Sequence, residues 1–254
     1  MGTVAWLQLR EILSGKKLWL AALLAAFPVA LAFVVRQAGG WDELDPAFEP
    51  YAKPLFLFVT HPMLTCALLS LLYGTAIVNA DVERKTVTYL FTRPVAKWRI
   101  VLGKYLAVVG FLAVPTTLSL GISWLLLGAP GGARFIGGME LAGLGAVTAY
   151  TAVFALIGTL FRNRPLVVGI LYAFVVEGVL SFIPALINTI TVTYYLRSVV
   201  VRALGLELPA DLARLVGGAS LLESSAVLLG IAAAALTLAS AVVTRREYSV
   251  ADAV

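Results

Sequence analysis

One histidine and one cysteine are all that the chain holds of the two side chains that most often bind metals. His61 alone excludes paired-histidine haem ligation and the HExxH zinc site, which needs two imidazoles a helical turn apart. Cys66 alone can close no intrachain disulfide and build no thiolate cluster, and its place inside an apolar run reads as packing. Charge is also scarce: Asp, Glu, Lys and Arg make up 13% of 254 residues, against about 25% in soluble domains. The nucleophile elbow GxSxG is absent. Gly103-Lys104 fails as a phosphate loop, because Trp98 occupies the position of the first glycine in that motif. The chain is therefore not read as an enzyme, and no catalytic, cofactor-binding or metal site is assigned to it.

What the chain has in quantity is apolar surface. Hydrophobic residues make up 61% of it and the mean hydropathy is +0.95. Six apolar stretches, about 18–35, 55–79, 100–127, 139–161, 166–188 and 222–243, each have the length needed to cross a hydrocarbon layer. They lack the short alternation of barrel strands, so helices are expected to satisfy the backbone in lipid. The fold class predicted is an all-α integral membrane protein: one transmembrane domain over residues 1–254 with six transmembrane helices.

Cytoplasmic segments are enriched in Lys and Arg. Six spans with both termini inside leave only Arg36, Lys53, Arg134, Arg197, Arg202 and Arg214 of the 19 basic residues on the outer side. Both termini are thus expected to be cytoplasmic. The net charge of +5 sits at the ends of apolar runs rather than on one soluble face, so it reads as topology and not as a nucleic-acid footprint. Residues 1–35 have the outline of a signal peptide, with Lys16 and Lys17 before an apolar run and an Ala30-x-Ala32. The expectation is nonetheless that they are retained. Ahead of that run Trp6, Leu9 and Leu13 share one face while Gln8, Glu11 and Ser14 are polar, as in an amphipathic helix lying in the membrane interface. Residues 36–54 form an acidic outer loop, and 128–138 a Gly-rich outer turn. In the outer segment 189–221, Leu196, Val199, Val200 and Leu204, then Leu212, Leu215 and Val216 after Pro209, predict two short amphipathic helices before span six.

The inner loop between spans two and three, Asp81 to Ala107, is the most informative stretch. Val87, Leu90 and Phe91 give an apolar edge to a short helix over about 81–92. It begins in acids, Asp81 and Glu83, and stops before Pro94, as the helix dipole and proline stereochemistry require. A helix of this kind can dock into a partner's groove, or simply rest among headgroups. The loop resembles the signature of type-2 ABC transporter permeases: an acidic pair (Asp81, Glu83), Thr86, Leu90 and Arg93-Pro94, then Ile100 and Gly103-Lys104 with Tyr105 at the entry to span three. Lys85 departs from the Gly that most such proteins carry before the Thr. The motif covers about a tenth of the chain, and the six-span layout agrees over the rest.

That resemblance implies a permease subunit forming the translocation pathway of an exporter in a prokaryotic cytoplasmic membrane. Asp81, Glu83, Thr86, Val87, Leu90, Phe91, Arg93 and Pro94 would form its coupling helix. ATP would be bound by a separate ABC ATP-binding subunit present in two copies, and a second permease subunit, most simply another copy of this chain, would complete the pathway. Arg162 and Arg164 in an inner turn offer a second contact with the ATPase, or serve topology alone. Two other functions stay open: mechanical action on an extracytoplasmic partner protein through residues 189–221, and ion-coupled carriage at Glu177. Glu177 is the acid near the middle of span five, where a charge costs about 2.5–3.5 kcal/mol on insertion scales. It is expected to be paired, protonated or facing the pathway. His61, next to Pro62 near the outer end of span two, is a pathway candidate beside a helix bend. Pro115 and Pro184 suggest bends in spans three and five. Ala142, Gly145, Ala149 and Ala152 form a small-residue stripe suited to close helix contact.

Overall fold

The computed structural model describes residues 2–39, 48–83, 96–161, 163–182, 189–206 and 219–245. Every element within them is helical. Helix α1 (Gly2–Ser14) meets α2 (Lys16–Gln37) at Gly15. Helix α3 (Glu49–Phe58) passes through a π-helical turn, Val59–Thr65, into α4 (Cys66–Glu83). Next come α5 (Lys97–Leu126), α6 (Gly132–Leu160) and α7 (Pro165–Tyr172), the last running on through a second π turn, Ala173–Val179, and a 3-10 turn, Leu180–Phe182. Helices α8 (Val192–Leu204) and α9 (Leu221–Arg245) follow.

Five helical stretches are long and apolar enough to cross a membrane: Lys17–Gln37, Pro50–Asn79, Lys97–Leu126, Gly132–Leu160 and Leu221–Arg245. They match the predicted spans one, two, three, four and six. The run predicted as span five is represented by a shorter apolar helix, Pro165–Val179, and the end of that run, 183–188, falls outside the described residues together with Pro184. The chain is an all-helical membrane protein.

Helix α6 is the hub, packing against α4, α5, α7, α8 and α9. In lipid, helices associate through close packing rather than through expulsion of water, so small residues gather where backbones meet. Ala142, Ala149 and Ala152 of the predicted stripe are fully buried, as is Ala146. Helices α4 and α6 approach closely: a Cβ placed on Gly158 would lie 2.4 Å from the Thr75 carbonyl oxygen and one placed on Gly74 would lie 2.9 Å from Phe154 Cβ.

Two boundaries differ from the sequence reading. The outer turn expected over 128–138 is confined to the residues between α5 and α6, and α6 already begins at Gly132. Beyond that point Gly138 serves contact rather than a turn: a Cβ on it would come within 2.8 Å of Ala203 Cβ on α8. Span two also runs on, because α4 continues through Asp81 to Glu83, so within the described residues these acids end a long helix. Residues 84–95, with Thr86, Val87, Leu90, Phe91, Arg93 and Pro94, lie outside the described residues. Pro115 is accommodated inside a continuous 30-residue helix.

Helix α8 matches the first predicted outer helix; the second, after Pro209, lies outside the described residues. The Thr191 side chain caps α8 by accepting from the Tyr194 amide at 3.2 Å, and Gly205 ends it in the left-handed conformation, φ 66°. Leu196, Val199 and Val200 are buried. Helix α9 opens with a reciprocal capping box: the Ser220 amide donates to Glu223 Oε2 at 2.7 Å, and the Glu223 amide donates to Ser220 Oγ at 3.2 Å.

Candidate functional site

Glu177 sits inside the second π turn and is 5% exposed. The wide turn shows in the Leu180 amide, which reaches back five residues to the Val175 carbonyl; such turns recur where a side chain must be re-aimed. The Glu177 carboxylate accepts five hydrogen bonds. Its Oε1 takes the Val192 amide at 3.0 Å and the Tyr172 hydroxyl at 2.9 Å. Its Oε2 takes the Thr193 amide at 2.8 Å, the Thr193 hydroxyl at 2.8 Å and the Tyr150 hydroxyl at 3.3 Å.

Two of those donors are the first amides of α8, which have no partner within their own helix. A carboxylate there also meets the positive end of the helix dipole. Glu177 therefore joins three elements: the helical segment that carries it, α6 through Tyr150, and α8 through its amino end. A second tie runs parallel, since Arg197 of α8 donates from Nη1 to the Ser181 carbonyl at 2.8 Å and from Nη2 to Ser181 Oγ at 3.2 Å. Burial pulls the Arg197 guanidinium below its ordinary pKa, while Tyr150 and Glu177 nearby act the other way. Where the sequence leaves Glu177 paired, protonated or facing the pathway, the structure bonds its carboxyl to neighbouring hydroxyls and backbone amides. The sequence signals for it are an acid in an apolar run and a Thr at the start of a helix; that they meet is not visible along the chain.

His61 occupies the first π turn and is 2% exposed. That turn likewise shows its spacing in the Cys66 amide, which reaches the His61 carbonyl. Thr60 Oγ1 lies 3.1 Å from His61 Nδ1, and Ser119 Oγ of α5 lies 3.3 Å from Nε2. Ser119 also donates to the Ala25 carbonyl of α2 at 2.5 Å, so α2, span two and α5 meet at one polar node. His61 and Glu177 belong to separate nodes.

Two polar residues outside the sequence reading of the membrane interior are also placed. Glu140 falls about 12 Å along α6 at 1.5 Å per residue, and the Thr117 hydroxyl of α5 donates to its carboxylate. Lys104, noted only as part of the entry to span three, is 6% exposed. Its Nζ donates to the Ile77 carbonyl at 3.3 Å, which ties the start of α5 to the last turns of α4. Arg164 is exposed at the amino end of α7, just ahead of Pro165 at the first helical position. Arg162 lies outside the described residues. Among the described residues no three His, Cys, Asp or Glu side chains come together as a metal site. No protein-family model matches the chain, and a search of curated proteins finds no match either.

Proposed function

We propose that the chain is the membrane-spanning subunit of an ATP-driven exporter of the type-2 ABC permease kind. In this reading it pairs with a second permease subunit, is moved by two copies of a separate ATP-binding subunit, and sits in a prokaryotic cytoplasmic membrane with both termini inside. The observation that carries the reading is the sequence from Asp81 to Ala107, which runs from the end of α4 into the start of α5. Support for its mechanical role comes from Lys104, whose bond to the Ile77 carbonyl links the two helices that the stretch connects. A push on the loop would reach both spans together rather than one of them.

The mechanism follows from rigid pieces joined by polar ties. ATP-driven closure of the partner subunits displaces the coupling residues Asp81, Glu83, Thr86, Val87, Leu90, Phe91, Arg93 and Pro94. That displacement moves α4 and α5, and α6 follows α4 because the two approach closely at Gly74 and Gly158 and are tied by the Thr151 hydroxyl, which donates to Ser70 Oγ at 3.1 Å. Tyr150 and Glu177 then relay the motion to α8 on the outer side.

The Glu177 node favours one second reading. Because α8 is pinned to the span-five segment, the same motion could pull on an extracytoplasmic partner instead of moving a solute. An ion-coupled carrier using Glu177 has less support, since both carboxylate oxygens are already taken by protein donors. The deciding experiment is purification of the full chain with its ATP-binding subunit, followed by ATPase assays. Stimulation by a small solute supports export, and stimulation only by a protein supports mechanical action. Transport by the chain alone, driven by an ion gradient, would sink both.

A further inference from the structure

An open groove of about 670 Å³ lies between α1, α2 and α5, within the range of ligand-sized sites. Small residues, among them Ala21, Ala107 and Gly110, form its floor, and Trp6, Leu9 and Leu118 stand along its walls. The indole nitrogen of Trp6 is the only polar side-chain atom in the lining. Gly110 is exposed on the α5 side of the groove, and a Cβ built on it would meet no heavy atom within 4 Å, so there is room there for a side chain. Large lining side chains are left exposed, Trp6 at 64%, Val114 at 59% and Leu118 at 61%.

We propose that this groove binds one acyl chain of an anionic phospholipid, whose phosphate is held at the rim by Arg10 and Lys17. Water is a poor occupant of so apolar a groove. A chain one methylene wide fits. Charge selects the class of lipid. On α1, Arg10 follows Trp6 by four residues and so sits one turn along on the edge of the same face, and it is exposed. Lys17 opens α2 at the elbow beside Gly15. Glu11, the acid of α1, lies on the side of the helix away from Leu9 by its 100° steps.

The test uses the full chain in nanodiscs of mixed phosphatidylglycerol and phosphatidylcholine, followed by mild detergent washing and mass spectrometry of retained lipid. The wild-type protein should keep phosphatidylglycerol in preference to phosphatidylcholine. Gly110→Leu, which fills the groove where there is room for a side chain, should abolish retention, as should Ala22→Leu from the opposite wall. Arg10→Gln should keep a lipid yet lower the preference about fivefold, equivalent to ~1 kcal/mol per basic residue near an anionic surface. Undiminished retention in both filled variants would overturn the site, and equal retention of the two lipids by wild type would overturn the headgroup assignment. A cysteine at Val114 that cross-links to a second copy in nanodiscs would assign the groove to a protein contact and overturn the proposal as well.

Discussion

Replacing Glu177 with Gln exchanges one carboxylate oxygen for an NH2 and breaks a defined contact. The α8 amides divide between the carboxylate oxygens, Val192 on Oε1 and Thr193 on Oε2. A glutamine carries one oxygen and one NH2, so in either orientation the NH2 faces a backbone N–H. One buried donor then loses its acceptor, at about 1–3 kcal/mol. Loss of the full charge at the amino end of α8 adds about 0.3–2 kcal/mol. The sum is about 1.3–5 kcal/mol, which for a chain of this size lowers Tm by about 3–20 °C. Glu177→Asp keeps the charge but not the reach, and should fall between Gln and wild type. Thermal loss of the monodisperse species in detergent measures the shift. Limited trypsin digestion locates it, because loosening of α8 exposes Arg197 and Arg202 to cleavage. A Gln variant that melts with the wild-type protein and shows its digestion pattern would refute the pinning of α8 by this carboxylate.

Three further outcomes are expected. Gly158→Ala puts a methyl 2.4 Å from the Thr75 carbonyl oxygen, so the α4–α6 contact must open at a cost of about 1–3 kcal/mol, read as a lower Tm, while Gly121→Ala, with open space around its Cβ, should melt near wild type. His61→Ala leaves a cavity at the junction of α2, span two and α5 and should cost about 1–3 kcal/mol in the same assay; if ATPase coupling in the purified complex then fails with stability intact, His61 acts in the pathway instead. Glu83→Lys should release the ATP-binding subunit during affinity purification of the solubilised complex, and undiminished recovery would count against the coupling assignment.

The spanning helices are legible in the sequence because lipid leaves little choice: a backbone that crosses it must close its hydrogen bonds within an apolar helix. Local rules also read well, as with Thr191 and Gly205 bounding α8 and Ser220 with Glu223 opening α9. What the sequence hides is set by contacts distant along the chain. The stretch from Gly128 looks like a loop by composition, yet Gly138 makes room for Ala203, 65 positions away. The partners of Glu177 come from Tyr150 through Thr193, and no periodicity announces them. The π turns at His61 and Glu177 likewise leave no mark in the hydropathy pattern, because they answer to where a polar side chain must point.

Such a turn holds one residue more than regular winding needs. The wide turn absorbs that surplus, so deleting a single residue from Ala173–Val179 would restore ordinary pitch and leave Ser181 near its present phase against Arg197. What would change is local: the acid would no longer be re-aimed at the first amides of α8. A deletion there should therefore loosen the amino end of α8 alone, whereas the same deletion near the amino end of α7, with no wide turn to absorb it, should rotate everything beyond it by about 100°.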